Sequence, residues 1–376
     1  MDNLEWRRIT SLNGIDSKAW NLLVEEDNPF MRYEFLSALE ETACIGKNTT
    51  WQVNAFAAFQ NDTLCAVAPA FVRYDSYGEY IFDWAWANAY HNAGLSYYPK
   101  LTVAAPFTPA TGRRILTGSH NLVSIASAVH ALKNFSKNTV SGIHFLCTTR
   151  AEQRALSQLG FAPRVTHQYH WHNRQYKSFD DYLSHLHSHR RKEIKRERKK
   201  CSEHNLRIET FAGEAIREEH IRAMYVFYCN TYARKWGSPY LNERTFFLLW
   251  KNMTQSLVLN LAHDGKSWVA GALAFYTPNK IFGRYWGAVN NYPYLHFELC
   301  LYRFIEFAIR KNIATFDAGA QGEHKFQRGF MPTPIYSSHL LFHTQAFDMI
   351  SAFLSQERHE TIQLLKASRQ SSAFRH

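Results

Sequence analysis

No window of about twenty residues in the 376-residue chain escapes charge, and Met1 to Thr10 carries no apolar segment. Neither a membrane-spanning helix nor a secretory leader is therefore expected, and the sequence reads as a soluble, cytoplasmic protein. Cys44, Cys65, Cys147, Cys201, Cys229 and Cys300 form no C-x-x-C pair or other ligand spacing, and most lie in apolar runs. They are expected as reduced core thiols. Neither G-x-G-x-x-G nor a complete P-loop occurs, so the sequence signals of nucleotide hydrolysis are missing. Histidines gather at His185, His187 and His189 and again at His167, His170 and His172. Only His185 with His189 and His170 with His172 would share a face, and no carboxylate or cysteine completes either set, so no metal is expected.

What the chain does contain is 46% apolar and 15% aromatic residues, the composition of a globular protein. Its length suits two domains. The formal charge of +11 is unevenly placed, because Arg190 to Lys200 holds eight Lys/Arg against Glu193 and Glu197, or +6 of the total. Cations this dense repel one another unless an anion neutralises them, which points to Arg190, Arg191, Lys195 and Arg198 as an anion-binding helix. The alternative is a solvated helix face.

Strand-like runs at Trp51 to Phe59 and Leu64 to Arg73 flank Asn61-Asp62, the pattern of an antiparallel hairpin. A strand at Lys100 to Ala105, a helix near His120 to Asn134, a strand at Gly142 to Cys147, a helix at Ala151 to Leu159 and a strand at Val165 to Trp171 follow. The second half repeats the order: a helix at Glu218 to Arg234, a hairpin around Asp264-Gly265, a strand at Ile281 to Ala288, a helix at Leu295 to Lys311, and strands at Ala314 to Asp317 and Ile335 to Phe342. Each half also has a Gly-Phe corner, Gly160-Phe161 and Gly329-Phe330. Such repetition predicts tandem domains at 1–175 and 206–345, a basic linking helix at 176–205 and a helical tail at 346–376. Leu183, Leu186, Ile194 and Cys201 supply the linking helix with an apolar side. Gln345 to Ser368 is apolar at helical spacing, for packing on a domain or a peripheral membrane contact.

The stretch Phe316-Asp317-Ala318-Gly319-Ala320-Gln321-Gly322-Glu323-His324-Lys325-Phe326-Gln327-Arg328-Gly329-Phe330, after a helix opening Leu295-His296-Phe297-Glu298, resembles the closing half of a GNAT acyltransferase domain in its Fem-type form. The basic run resembles the arginine-rich helix before the second domain of Fem-type transferases. The resemblance covers roughly Trp20 to Phe342 and implies an α/β fold of mixed sheets with tandem GNAT-like domains. It further implies a peptidoglycan-related N-acyltransferase that moves an activated acyl group from acyl-CoA or aminoacyl-tRNA to an amine. The donor would be a co-substrate, with no tightly bound cofactor. A tRNA or an anionic lipid-linked substrate would suit the basic helix. The usual acyl-CoA loop, Gln/Arg-x-x-Gly-x-Gly/Ala, is absent, which speaks against a simple acetyl-CoA donor. A catalytically silent anion- or RNA-binding protein on the same fold is the alternative.

Within that frame Glu298, Asp317 and His296 are the candidate proton acceptors. Glu298 would otherwise complement the helix dipole, and Asp317 would otherwise cap the turn Gly319-Ala320. Lys325 and Arg328 would hold an anionic substrate or an oxyanion. Arg284, inside an apolar strand, is an expensive placement unless paired or binding substrate. Arg113 and Arg114 close the loop from Pro106, where they would meet phosphates, while the aromatics between Tyr77 and Tyr98 suit either a binding cleft or a core.

Overall fold

The computed structural model describes residues 4–118, 123–234, 237–319 and 322–375. Its strands are β1 (Glu5–Ile9), β2 (Trp51–Val53), β3 (Ala55–Gln60), β4 (Thr63–Ala68), β5 (Ala70–Arg73), β6 (Lys100–Val103), β7 (Gly142–Thr148), β8 (Ala162–His172), β9 (Arg207–Ala212), β10 (Leu257–His263), β11 (Trp268–Tyr276), β12 (Lys280–Ala288), β13 (Thr315–Asp317) and β14 (Met331–Leu341). The helices are α1 (Ser17–Leu22), α2 (Tyr33–Glu41), α3 (Trp84–Asn92), α4 (Ile125–Ser136), α5 (Arg150–Gln158), α6 (Phe179–Ser184), α7 (Ser188–Ser202), α8 (Glu218–Arg234), α9 (Glu243–Met253), α10 (Leu295–Phe297), α11 (Arg303–Lys311) and α12 (Thr344–Gln370). His120, expected to open α4, lies outside the described residues.

Two compact units result: Met1–Thr166 with Pro334–Gln363, and His167–Thr333 with Leu364–His376. The boundaries fall inside β8, β14 and α12. The strand expected at Ile335 to Phe342 thus lies in the first unit, together with the start of the C-terminal helix.

In the first unit β1, β3 and β4 form a small sheet, and the order β2-β5-β6-β7-β14 forms a larger one. The expected hairpin is β3 and β4, turning through Asn61 and Asp62 at φ of +48° and +58°. Each long run in fact divides into two strands, because β2 pairs with β5 in the larger sheet. Leu101, Val103, Ile143 and Phe145 pack against Ala128, Val129 and Leu132 of α4 and Leu156 of α5. Both helices start on hydroxyl caps, Ser124 accepting from Ser127 N and Thr149 from Glu152 N.

In the second unit the order is β8-β13-β12-β11-β10-β9. Asp264 Oδ1 accepts from Lys266 N and Ser267 N at 2.8 Å each, fixing the turn between β10 and β11. Helix α8 lies close on β12, since a Cβ added to Gly287 would stand 1.8 Å from Phe227 O. The apolar stripe Leu183, Leu186, Ile194 and Cys201 is buried as expected. Leu183 lies on α6 and Ile194 and Cys201 on α7, however, with Leu186 in the break between them, where His187 N donates to Ala373 O at 2.9 Å. All six cysteines are free thiols, but only Cys147 and Cys201 are fully buried, a correction to the expectation of core positions.

Candidate active site

Strand β12 pairs in parallel with β13 at Lys280↔Thr315, Ile281↔Phe316 and Phe282↔Asp317, where β13 ends while β12 continues to Ala288. Beyond that point Tyr285 faces Leu273 and Gly283 faces Ala274 across the antiparallel ladder, so Arg284 is the extra residue of a β-bulge. A bulge redirects the side chain it carries and opens the ladder locally. On the other side β8 runs antiparallel to β13 and sets His170 opposite Asp317. Ligands bind at such openings, outside the carboxyl ends of strands where the neighbouring connections diverge.

Asp317 is buried there, and its Oδ1 accepts from Gly319 N at 2.8 Å and lies 3.7 Å from His170 Nε2. The bond to Gly319 is the turn cap expected from sequence; Ala320 and Gln321 lie outside the described residues. Burial lowers the pKa of His170, against the pull of Asp317, and its Nε2 also meets Gln168 Oε1 at 3.2 Å. Lys325, on the short helical turn Glu323–Arg328, is buried and donates from Nζ to Ala318 O at 2.6 Å and Gly319 O at 3.0 Å. Burial brings its pKa down to about 8, although Asp317 and Cys300 pull the other way. Cys300 completes the surroundings, its thiol pushed up by burial. His296 is half-buried, its ring 5.1 Å from Trp286 and 6.0 Å from His324.

The other expected site residues are engaged elsewhere. Glu298 is buried with both oxygens occupied, by Arg198 Nη2 at 2.8 Å and Nε at 3.0 Å and by Arg303 Nε at 2.9 Å. With both oxygens taken up by two guanidinium groups, Glu298 clamps α7 to the helical turn at Glu298–Tyr302. Arg198 also bonds Glu306 at 2.7 Å and covers Phe179, and so leaves the anion-binding set. Arg328 is buried against Glu197 and Tyr302 and lies 3.8 Å above the centre of Phe297, which makes it a strut rather than a substrate clamp. Arg114 is fully buried with Nε on Leu146 O at 2.7 Å, and Arg113 pairs with Glu25 at 2.8 Å. Burial keeps Arg114 from a phosphate, whereas Arg113 remains part-exposed beside Glu25. The amides of Arg114 and Ile115 rest on Glu152 Oε1 at 3.0 and 2.8 Å, and burial raises that carboxyl to about 7 against those bonds.

On α7 Arg190 bonds Glu193 at 3.1 Å and Lys195 lies 3.5 Å from Asp180. Lys192, Arg196, Lys199 and Lys200 are exposed and Arg191 is half-buried. A cavity of about 250 Å³ sits at the start of the helix, lined by His187, His189, Arg190, Gln327, Ser371 and Ser372 among others.

Sequence reading missed two features. The bulge at Arg284 depends on register between strands, and the role of His170 beside Asp317 depends on a pairing across 147 positions of chain. A third cluster lies in the first unit, where His144 Nδ1 and His339 Nδ1 meet at 2.9 Å beneath Trp86. Among the described residues no group of three or more His, Cys, Asp or Glu is placed to hold a metal ion, and no helix is long and apolar enough to cross a membrane.

The family model for FemAB-like proteins, described as peptidoglycan biosynthesis/recognition, matches residues 11–376. The chain belongs to the FemAB-like family. Among solved structures, FemX is similar over 92% of this chain and 100% of its own at 10% identity, with a TM-score of 0.54. The C-terminal domain of a putative lysylphosphatidylglycerol synthetase from Agrobacterium fabrum is similar over 90% and 95%, at 9% identity and a TM-score of 0.52. Identities this low speak for the fold. No curated protein matches the sequence. The expected α/β fold of mixed sheets and the expected enzyme class, a Fem-like acyltransferase, stand with the family.

Proposed function

We propose that this FemAB-like chain transfers an acyl or aminoacyl group from an activated ester or thioester to an amine, at the parting of β12 and β13 in the second unit. The observation that carries the reading is Lys325, a buried cation beside a strand opening, with two of its three N–H donors spent on Ala318 and Gly319. Among the described residues the third N–H has no protein acceptor, and it is offered to the carbonyl oxygen of a bound donor. As the amine nitrogen attacks, a C–N bond forms and the carbonyl oxygen takes up negative charge, which the ammonium stabilises in a site of low dielectric. Collapse breaks the C–O or C–S bond. The proton shed by the amine ends on the departing alkoxide or thiolate, and Asp317, buried beside Lys325, is the group proposed to carry it.

Aminoacyl-tRNA is the favoured donor, because the exposed cations of α7 suit a polyphosphate and the acyl-CoA loop is missing. The acceptor is an amine on a peptidoglycan precursor or a lipid. The test incubates the protein separately with charged tRNA, acetyl-CoA and a long acyl-CoA, each with a lysine-containing peptide, and follows the transferred group by mass spectrometry. Transfer from charged tRNA that disappears in Lys325→Met is expected. Transfer from no donor, or full transfer by the variant, would refute the reading.

A further inference from the structure

Residues 74–84 turn the usual polarity of a surface loop inside out. Beneath the loop, the side chains of Arg73, Glu79, Asp83 and Lys100 are fully buried. Lys100 Nζ bonds Glu79 Oε2 at 2.7 Å and Asp83 Oδ2 at 2.5 Å, while Arg73 bonds Glu79 at 3.1 Å and Asp75 at 2.7 Å. Tyr74, Tyr77, Tyr80, Phe82 and Trp84 are exposed instead. Tyr80 and Phe82 reach that position at φ of +61° and +53°, a left-handed backbone that bulky residues rarely adopt and that marks stored strain. A buried ion network resists any shift that would leave a charge unpaired, so the rings stand on a rigid base. Tyr77 and Trp84 meet with ring centroids 4.9 Å apart and planes inclined at 58°, a paired, angled aromatic surface. Solubility alone would place charges outside and rings within.

Charge decides what such a platform receives. From Tyr74 to Pro99 there is no Lys or Arg, and the three carboxylates, Asp75, Glu79 and Asp83, are paired with Arg73 and Lys100. Nucleic acids and anionic bilayers are gripped by clustered cations, which this stretch does not carry; Arg164, which reaches Ile81 O, is buried and paired with Glu357. It presents uncharged hydrogen-bonding groups: Asn88 and Asn92 are exposed on α3 at helical spacing from Trp84, with Ser96 after the helix. Rings flanked by amides and a hydroxyl match a partner with a C–H face and a rim of hydroxyls.

We propose that the loop at residues 74–84, with the exposed face of α3, docks an oligosaccharide, a sugar ring stacking on Tyr77 and Trp84. The inference rests on the first unit alone and is independent of the transfer assigned to the second. Chitohexaose is the probe, titrated into the full chain by calorimetry. Saturable binding is expected, weakened roughly tenfold or more in the double variant Tyr77→Ala/Trp84→Ala with an unchanged unfolding midpoint, and kept within about threefold in Tyr77→Phe/Trp84→Phe. In parallel, wild type and the alanine variant are sedimented with phosphatidylglycerol and with phosphatidylcholine vesicles. The proposal is overturned if wild type does not bind the saccharide or if the alanine variant binds it equally. It is also overturned if the rings prove to be needed for vesicles and not for sugar.

Discussion

The guanidinium of Arg198 grips the carboxylate of Glu298 through two bonds, of 3.0 and 2.8 Å, across a hundred positions of sequence. Read apart, one residue belongs to a basic helix and the other to a catalytic loop. Placed together, they neutralise each other and anchor α7 to the second unit. The remaining cations of α7 therefore stand on a fixed support.

Breaking that pair should cost stability rather than chemistry. Glu298→Gln leaves Arg198 and Arg303 with only Glu306 as a shared anion, and a loss of about 2–4 kcal/mol is expected in denaturant unfolding. The double variant Arg198→Gln/Glu298→Gln should recover part of it. Equal losses in the single and double variants would show that the pair is not the source.

Lys325 yields a pH prediction with a definite sign. Its folded pKa of about 8 means that the ammonium is lost above that value, so transfer should decline as pH rises through about 8. If Lys325 acted as a base, transfer would instead climb over the same range. Lys325→Met should lower turnover by roughly 10²–10³-fold, the range for removing one oxyanion donor. The same lowered pKa implies a folding penalty that grows as pH falls from 10.5 to about 8 and is constant below. The methionine variant should therefore lose that part of the pH dependence of its unfolding free energy.

Local signals carried most of the fold. The turns at Asn61-Asp62 and Asp264-Gly265 and the buried positions Leu183, Leu186, Ile194 and Cys201 follow from backbone chemistry and periodicity. The break between α6 and α7 was hidden because Ser184 to Ser188 contains neither Gly nor Pro; tertiary bonds to the C-terminal segment set it. At the site, Asp317 and Lys325 were legible because they flank a Gly-rich turn. Arg328, Arg114 and Glu298 looked alike in sequence, and only packing reveals that their charges are already satisfied.

The first unit should be sensitive to acid. His144 and His339 are fully buried, and burial pushes His144 down to about 3 and His339 well below its usual value, with Lys100 and His144 respectively adding to the effect. Both rings are neutral in the fold and take up protons when it opens, so the unfolded chain binds more protons. Stability is then fully present above about 6.5 and falls as pH drops toward 3. Unfolding followed between pH 7 and 4 should show this slope, and His339→Gln should reduce it. A slope unchanged by the substitution would place the acid sensitivity elsewhere.

The basic helix gives the last prediction, on a different set of residues from the one the run of charge suggests. Arg198 is consumed by Glu298 and Glu306, and Arg190 by Glu193, which leaves Lys192, Arg196, Lys199 and Lys200 exposed. If these meet tRNA phosphates, changing all four to Gln should weaken tRNA binding and flatten the dependence of log affinity on log salt, by about 0.7–0.9 for each phosphate no longer neutralised. Unfolding should hardly change, because the four side chains lie off the buried stripe of Ile194 and Cys201 and Gln is a good helix former. Arg198→Gln makes the contrasting control, with lower stability and a nearly unchanged salt slope. Measuring slope and stability on both variants separates cations that hold the helix in place from those that reach a polyanion, and an unaltered slope in the fourfold variant would remove α7 from substrate binding.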